Sequence, residues 1–207
     1  MRIIVIRHGQ SEADLMDVHE GRADFALTPS GMDQARRMSR YLCAQERIDR
    51  IYASPLLRAQ QTAAYLARAA QLDVETQLIY DEDLMEFDNG VLAGLPRQEA
   101  AARYPEVRDL PLHEAVYGQE SQLHFRMRAE RALSRVLAQN DPAATVAIVS
   151  HGGAINQLYR AFLRLPMDSD LTVHTGDTGI HLWVVEPHRR RIAYANRLEH
   201  LLEENAF

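Results

Sequence analysis

Three short segments of this chain carry arginine or histidine at the point where an apolar run ends. Arginine offers a planar fork of donors that suits phosphate oxygens, and histidine can act as a nucleophile or a base. The first segment begins directly after the apolar residues 3–6 and ends in glycine, which lets the backbone approach a ligand closely. The three segments are Arg7-His8-Gly9, Ser54-Pro55-Leu56-Leu57-Arg58 and Ser150-His151-Gly152-Gly153.

These three segments are expected to meet at one edge of a parallel sheet. Right-handed crossovers place the carboxyl ends of parallel strands together, and ligands bind at that edge in open α/β sheets. Two guanidinium groups would bind a tetrahedral oxyanion such as phosphate, whereas a carboxylate would leave several donors unused. An imidazole facing a phosphoryl group can attack it in line and form a phosphohistidine. The leaving alcohol then needs a proton, which a carboxylic acid at the rim could supply.

Composition limits the possible classes of protein. The chain has 207 residues, 46% of them apolar, which is enough for one well-buried core. A formal net charge of −6 argues against a nucleic-acid-binding protein that relies on a basic field. With Cys43 as the only cysteine, no signal-peptide pattern and no apolar stretch of about 20 residues, the sequence predicts a cytoplasmic protein without a membrane segment.

The order of apolar runs and turn signals predicts an α/β fold. We expect a three-layer α/β/α sandwich with a mostly parallel central sheet and an antiparallel edge. Residues 1–207 are expected to form one domain, with an insertion at about residues 87–121. Strands are predicted at residues 2–6, 51–53, 73–79 and 145–149, with a terminal hairpin of residues 180–185 and 191–195. Helices are predicted at residues 28–44, 54–70, 97–104, 122–139 and 152–165.

The chain resembles the histidine phosphatase superfamily, whose fold is also called phosphoglycerate mutase-like. The resemblance covers most of the chain, and its five blocks occur in the family's order. They are Arg7-His8-Gly9-Gln10-Ser11-Glu12, the run from Ser54 to Ala63, Leu84-Met85-Glu86 with Gly90 and Gly94, Gln119-Glu120-Ser121 with Arg128, and Ser150-His151-Gly152-Gly153.

The resemblance implies a role for individual residues. His8 would be the nucleophile, and Glu86 would be the general acid and then the general base. The phosphate pocket would be formed by two arginines, by a second histidine that is also catalytic, and by polar and glycine residues near the opening block. These residues would be Arg7, Arg58, His151, Ser11, Asp14 and Gly21. The family needs no metal and no cofactor.

Several positions leave alternatives open. Asp14 stands where the family usually has asparagine, so its carboxylate is expected to point away, pair with an arginine or tune nearby pKa values. The run 81–83 offers carboxylates that rival Glu86, although a solvated loop is the simpler interpretation. His181 is expected to face outward from its strand. His174 lies in the loop 172–179, which could reach the rim of the pocket.

The sequence therefore predicts a metal-independent phosphomonoesterase that acts on small phosphorylated metabolites through a phosphohistidine. The partner would be a small-molecule phosphomonoester, with no nucleic acid and no membrane. Two alternatives remain, a phosphoglycerate mutase and a non-catalytic sensor of phosphorylated ligands. The region after Phe87 lacks the long basic insertion of the mutases, which favours hydrolysis. The oligomeric state stays open, with the hairpin edge as a candidate contact for a dimer.

Overall fold

The computed structural model describes residues 1–202 and contains one six-stranded mixed sheet in the order β3-β2-β4-β1-β5-β6. The strands are β1 Arg2–Arg7, β2 Arg50–Ala53, β3 Leu78–Tyr80, β4 Thr145–Ser150, β5 Ile180–Glu186 and β6 Arg189–Arg197. The helices are α1 Glu12–Met16, α2 Pro29–Cys43, α3 Leu57–Ala69, α4 Arg97–Arg103, α5 Gln122–Gln139 and α6 Gly152–Phe162.

The four strands β1 to β4 run parallel, while β5 and β6 form the antiparallel edge. In the register of the sheet, Arg7 pairs with Ser150 and Ala53 pairs with Val149. The carboxyl ends of β1, β2 and β4 are therefore level with one another. The predicted meeting of the three segments at one sheet edge is confirmed.

Successive residues of β1 enter two different cores. Ile3 and Val5 pack with residues of α5 and α6, whereas Ile4 and Ile6 pack with residues of α2 and α3. Because helices cover both faces, β1 and β4 are continuously apolar in their middle residues instead of alternating. This arrangement is the predicted α/β/α sandwich.

The starts of α2 and α3 show where local sequence signals predict the first residue of a helix correctly and where they do not. α2 begins as predicted, since the hydroxyl of Thr28 accepts a hydrogen bond from the Gly31 N–H and Pro29 takes the first helical position. The start predicted for the next helix is wrong. α3 begins at Leu57, and its N-cap Leu56 makes no side-chain cap bond. The hydroxyl of Ser54 contacts His151 instead, so this residue serves the site and not the helix.

The predicted third strand is mostly a turn. Only Leu78–Tyr80 pairs with β2, because residues 73–77 close on themselves around Asp73. Its carboxylate accepts hydrogen bonds from the Glu75 N–H and the Thr76 hydroxyl, at 3.1 and 2.8 Å. A side chain that satisfies the local backbone competes with pairing in a sheet. The short helix α1 was not predicted, and β6 begins at Arg189, two residues earlier than expected.

The prediction that His181 faces outward is wrong. The side chain is fully buried, because it packs against Tyr159 of α6 on a strand that is covered on both faces. Its Nδ1 accepts a hydrogen bond from the Asn196 N–H at 3.1 Å and lies 2.6 Å from the Tyr159 hydroxyl. Nε2 therefore carries the proton and donates to the Thr175 hydroxyl at 3.1 Å.

The segment after Phe87 closes over the sheet edge beside the opening block. The Gly94 N–H donates to the carbonyl of His19 at 2.7 Å, and Arg97 donates through its N–H to the carbonyl of Asp17 at 3.1 Å. These bonds fix residues 94–97 against residues 17–19 and so form one wall of a cavity at this edge. None of the helices within residues 1–202 combines the length and apolar character that crossing a bilayer requires.

Candidate active site

The edge formed by β1, β2 and β4 brings together the two histidines that sequence reasoning selected. The ring centroids of His8 and His151 are 5.0 Å apart, and both rings are buried together with Arg58. Four residues that the sequence assigned to the site also contact one another here or line the adjacent cavity. These are Arg7, Asp14, Gly21 and Glu86.

His8 is held with one ring nitrogen available for chemistry. Its Nδ1 lies 2.7 Å from the carbonyl oxygen of Gly9, which can only accept, so Nδ1 carries the proton and Nε2 has the free lone pair. The backbone is fixed on both sides, by a bond from the His8 N–H to Ser150 and one from the Thr178 N–H to the His8 carbonyl. Burial, and then the charges of two nearby guanidinium groups, lower the pKa of His8. The imidazole is therefore neutral and nucleophilic near neutral pH.

Arg58 points its guanidinium into the site from the first turn of α3. Its terminal nitrogens donate to the carbonyls of Ala23 and Gly21, at 3.0 and 2.7 Å. Gly21 adopts a φ of +49°, which favours glycine and turns this carbonyl toward the arginine. The third nitrogen, Nε, faces the carboxylate of Glu20 at 3.1 Å. The cation is thus oriented by backbone and balanced by an acid.

Arg7 is positioned by the loop between α6 and β5. One terminal nitrogen donates to the carbonyl of Thr175 at 3.0 Å. The other lies 3.3 Å from a carboxylate oxygen of Asp177 and 3.6 Å from one of Asp14. The loop 172–179 therefore reaches the site as the sequence suggested. It does so through Thr175 and Asp177, since His174 is exposed and does not line the cavity.

His151 approaches from the end of β4. Its Nε2 lies 2.8 Å from the hydroxyl of Ser54, and its Nδ1 has no hydrogen-bond partner although it is buried. Burial lowers the pKa of His151, and the charge of Arg58 and the neighbouring His8 lower it further. The ring is therefore a neutral hydrogen-bonding group that Ser54 orients.

Glu86 sits at the N-terminus of α6. Its carboxylate accepts hydrogen bonds from the N–H groups of Phe87, Gly153 and Ala154, at 2.8, 2.9 and 3.1 Å. A side chain at position 153 would not fit, because a Cβ there would lie 2.4 Å from the Glu86 carboxylate. Residue 153 must therefore be glycine for this carboxyl group to occupy its place.

The acidic run that rivalled Glu86 is not a free set of carboxylates. Asp83 pairs with Arg131 at 2.6 Å, and Asp81 pairs with Arg135 at 2.7 Å. Both acids bind helix α5, so the interpretation as a solvated loop is wrong for these two positions. Only Glu82 is exposed. Glu86 is the one member of the acidic stretch 81–86 that lines the cavity.

The segment that carries Glu86 is held from α5 by a buried ion pair. Arg128 donates to the carboxylate of Glu120 at 2.6 and 3.0 Å, and to the carbonyls of Asp83 and Glu86 at 2.9 and 2.8 Å. Both side chains of the pair are almost completely buried. This pair fixes the backbone on which the Glu86 side chain is mounted.

Asp14 and Ser11 belong to a single capping box. Ser11 is the N-cap of α1, and its N–H donates to Oδ2 of Asp14 at 2.8 Å while the Asp14 N–H donates back to the Ser11 hydroxyl. The other oxygen of Asp14 faces Arg7. Of the three alternatives left open, pairing with an arginine is observed, and so is an effect on nearby pKa values, because the charge of Asp14 adds to burial in raising the pKa of Glu20. Ser11 is buried against Asp14 and does not line the cavity.

Glu20 is a residue of this site that sequence reasoning missed. One carboxylate oxygen lies 3.1 Å from Nε of Arg58 and the other lies 3.8 Å from Nε2 of His8. Burial raises the pKa of Glu20, and the charge of Arg58 opposes that shift. The sequence signal that could have identified Glu20 was its position next to Gly21, a predicted pocket residue. A carboxylate therefore faces both the predicted nucleophile and a predicted phosphate ligand.

A cavity of about 410 Å³ opens above these groups, lined by residues that include Arg7, Asp14, Glu20, Gly21 and Glu86. Within residues 1–202, six buried side-chain nitrogens or oxygens lack a hydrogen-bond partner. Four of the six belong to this site, and they are Arg7 Nε, Arg58 Nε, Glu20 Oε1 and His151 Nδ1. Of these, Arg58 Nε and Glu20 Oε1 face each other as an ion pair at 3.1 Å without hydrogen-bond geometry. Buried polar groups are normally satisfied, so the unpartnered atoms of this site are available to a polar ligand.

Residues 3–197 match the profile of the histidine phosphatase superfamily (branch 1). This chain belongs to that superfamily. A solved mycobacterial glucosyl-3-phosphoglycerate phosphatase in complex with VO3 is similar over 94% of this chain and 98% of its own, with 26% identity and a TM-score of 0.80.

Two relatives show different extents of similarity. The putative phosphoserine phosphatase 2 of Hydrogenobacter thermophilus is 28% identical over 96% of this chain and 97% of its own length. The bifunctional protein Rv2228c of Mycobacterium tuberculosis is 35% identical over 81% of this chain, but the match spans only 44% of that relative. This chain therefore matches less than half of the length of one relative and nearly all of the length of the other.

Proposed function

We propose that this protein is a phosphomonoesterase that hydrolyses small phosphorylated metabolites through a phosphohistidine on His8, with Glu86 as general acid and base. The membership of the superfamily and the phosphatases among its relatives support a phosphatase. The observation that carries the mechanism is the bond from Nδ1 of His8 to the Gly9 carbonyl, which leaves Nε2 as the free nucleophilic nitrogen.

In the first half-reaction, Nε2 of His8 attacks phosphorus in line and the bond to the ester oxygen breaks. Glu86, entering as the protonated acid, gives its proton to the departing alcohol. In the second half-reaction, Glu86 takes a proton from water, the water oxygen attacks phosphorus, and the bond to His8 breaks to release phosphate. Arg7, Arg58 and His151 stabilise charge on the phosphoryl oxygens in both steps.

Two features favour hydrolysis over the alternatives. A phosphoglycerate mutase must hold a substrate that carries a carboxylate beside its phosphate, whereas the wall of this cavity carries the acids Asp14 and Glu20, the latter 3.8 Å from Nε2 of His8. A sensor of phosphorylated ligands needs neither a free Nε2 on His8 nor a carboxyl group at Glu86. Both chemical groups are in place at this site.

The test is hydrolysis of p-nitrophenyl phosphate in the presence of a metal chelator. We expect activity in the wild-type protein, and an acid-labile phosphoenzyme when the reaction is quenched with labelled substrate. His8→Ala is expected to abolish both, because no other nitrogen takes its place. His188→Ala removes an exposed histidine from the β5–β6 turn and is the matched control, with activity and label retained. A dependence on added divalent metal, or label that survives in His8→Ala, contradicts the mechanism.

The physiological substrate is best found by ranking a panel of phosphomonoesters by kcat/KM. The panel should include phosphoserine and glucosyl-3-phosphoglycerate, since similar proteins carry those names. Sugar phosphates, nucleotides and a phosphoprotein complete it. We expect selectivity to be determined by two segments, 87–121, which contributes Phe87, Asn89 and Arg97 to the cavity wall, and 172–179, which contacts Arg7.

A further inference from the structure

We propose that the site selects phosphomonoesters whose alcohol carries an ammonium group, and that Asp14 and Glu20 reject alcohols that carry an anion. This inference rests on the proposed function and concerns the substrate class of the same site. It follows from the charges of the cavity wall once the phosphoryl group has taken its own ligands.

The wall of the cavity is acidic. Four carboxylates line it, and they are Asp14, Asp17, Glu20 and Glu86. Two guanidinium groups, those of Arg7 and Arg97, are the cationic side chains of the lining. His19 also lines the cavity, but burial and the charge of Arg97 lower the pKa of that imidazole, which keeps it neutral near neutral pH.

The cations of the lining are already assigned to other groups. Arg97 pairs with Asp17 at 3.1 Å, so these two charges balance each other at the rim. Arg7 belongs to the phosphate pocket. A further guanidinium beside Glu86, that of Arg22, faces Asp88 and Glu120 at 3.4 and 3.5 Å. Within residues 1–202, no cation of the lining is left to receive a carboxylate or a second phosphate on the substrate.

Binding of a phosphoryl dianion changes the partners of two acids. Without substrate, Arg58 faces Glu20 and Arg7 faces Asp14. When the phosphoryl oxygens take both guanidinium groups, the two carboxylates lose most of this compensation and lie beside a dianion. An ammonium group on the alcohol would restore the balance, because it brings a cation to the two carboxylates. A carboxylate at the same place would add a third like charge, which burial makes costly.

Three compounds of similar size separate these possibilities. Phosphoethanolamine carries an ammonium group two carbons from the phosphate, ethyl phosphate is uncharged there, and phosphoglycolate carries a carboxylate. Each is measured as a competitive inhibitor of p-nitrophenyl phosphate hydrolysis, and kcat/KM is measured where it is itself hydrolysed. We expect the inhibition constant to rise in the order given, with at least a tenfold difference between phosphoethanolamine and phosphoglycolate.

The variants Asp14→Asn and Glu20→Gln keep the size of each side chain and remove its charge. Each is expected to reduce the ratio of the two inhibition constants to about threefold or less, by tightening phosphoglycolate and weakening phosphoethanolamine. Asp33→Asn is the matched control. It removes one negative charge from the exposed surface of α2, where the acid pairs with Arg36, and we expect the ratio to stay unchanged.

Two results overturn the inference. One is that phosphoglycolate binds the wild-type protein at least as tightly as phosphoethanolamine, and the other is that the ratio stays unchanged in both site variants. Failure of the proposed function looks different, because p-nitrophenyl phosphate itself is then not hydrolysed. In that case the dissociation constants of the three compounds, measured by calorimetry, still decide the charge preference.

Discussion

The carboxyl group of Glu86 is fixed in place by three backbone N–H groups, two at the start of α6 and one from the neighbouring Phe87. In the proposed mechanism this group gives a proton to the departing alcohol and takes one from water in the second half-reaction. Its removal is therefore expected to affect each ester according to how much the leaving group needs that proton.

Replacing Glu86 by glutamine should slow alkyl phosphates far more than aryl phosphates. An alkoxide is a poor leaving group and needs the proton, whereas p-nitrophenolate leaves without it. General acid catalysis contributes about 10²- to 10⁴-fold, so we expect a loss of about 10²-fold or more in kcat/KM for ethyl phosphate and less than about tenfold for p-nitrophenyl phosphate. Glu82→Gln, an exposed acid four residues earlier, should change neither value. Equal slowing of both esters would assign the proton to another acid. Glu20, which lies 3.8 Å from Nε2 of His8, would be the first candidate.

Sequence reasoning at the scale of residues depended on recognisable blocks. His8, Arg58 and His151 each lie inside such a block, and the structure brings all three together. Glu20 lies between blocks, so only its neighbour Gly21 attracted attention. Its contact with His8 depends on how residues 17–21 are folded against residues 94–97, which no local pattern encodes. The chemical roles of these residues stay predictions until variants are measured.

At the scale of elements, the position of the acid depends on α5. The short segment from Asp81 to Glu86 has little regular structure of its own, and Arg128 holds its carbonyl groups from below. The same guanidinium is paired with the buried Glu120. Breaking a buried pair by removing one partner leaves the other charge without compensation, and this typically costs 3–5 kcal/mol.

Arg128→Met is therefore expected to lower the free energy of unfolding by about 3–5 kcal/mol and to reduce kcat for alkyl phosphates more than for aryl phosphates. Arg131→Met is the matched control, because it removes an arginine from the same helix that pairs with Asp83 at the surface. Such a pair contributes at most about 1 kcal/mol, so this variant should stay close to wild type. Urea unfolding and the two-substrate assay measure both effects. Similar losses in the two variants would show that Arg128 does not have the special structural role inferred here.

Elements were predictable where one local signal dominated. The runs in β1 and β4 are apolar at every middle position, and this pattern is typical of strands that are covered on both faces. The start of α3 was misplaced because Ser54-Pro55 imitates a cap while the chain is still extended. His181 was misplaced because strict alternation applies to a strand with one solvated face, and β5 has none at that position. The extent of the insertion at residues 87–121 stays a prediction.

At the scale of the whole molecule, two buried histidines connect the antiparallel edge to the site. His181 bonds the Thr175 hydroxyl, and the carbonyl of Thr175 holds Arg7. His200 lies 2.8 Å from the Thr178 hydroxyl, and the N–H of Thr178 donates to the carbonyl of His8. Burial lowers the pKa of each imidazole to about 4. Both rings are therefore neutral in the folded chain near neutral pH, and protonating them costs stability.

The lowered pKa values of these two histidines predict how stability depends on pH. In the unfolded chain a histidine binds a proton near pH 6.5, whereas in the folded chain these two do so only near pH 4. Between these values the unfolded state binds more protons, so the stability contributed above pH 6.5 is lost as the pH falls and levels off below pH 4. One pKa unit corresponds to about 1.4 kcal/mol, which gives a loss of up to about 3 kcal/mol from His181.

The measurement is the free energy of unfolding in urea from pH 7 to pH 4, for the wild-type protein and for His181→Gln. The variant is expected to be less stable than wild type at pH 7, so the comparison uses the pH dependence of the free energy of unfolding and not its value at one pH. Its slope with pH should be shallower by the contribution of one histidine, because glutamine does not titrate. His113→Gln removes an exposed histidine and should keep the wild-type slope. Acids such as Glu20, whose pKa burial raises, oppose the loss in every variant alike and cancel in the comparison. If wild type and His181→Gln lose stability in parallel, the buried imidazole does not remain neutral on folding and its link to Arg7 must be reconsidered.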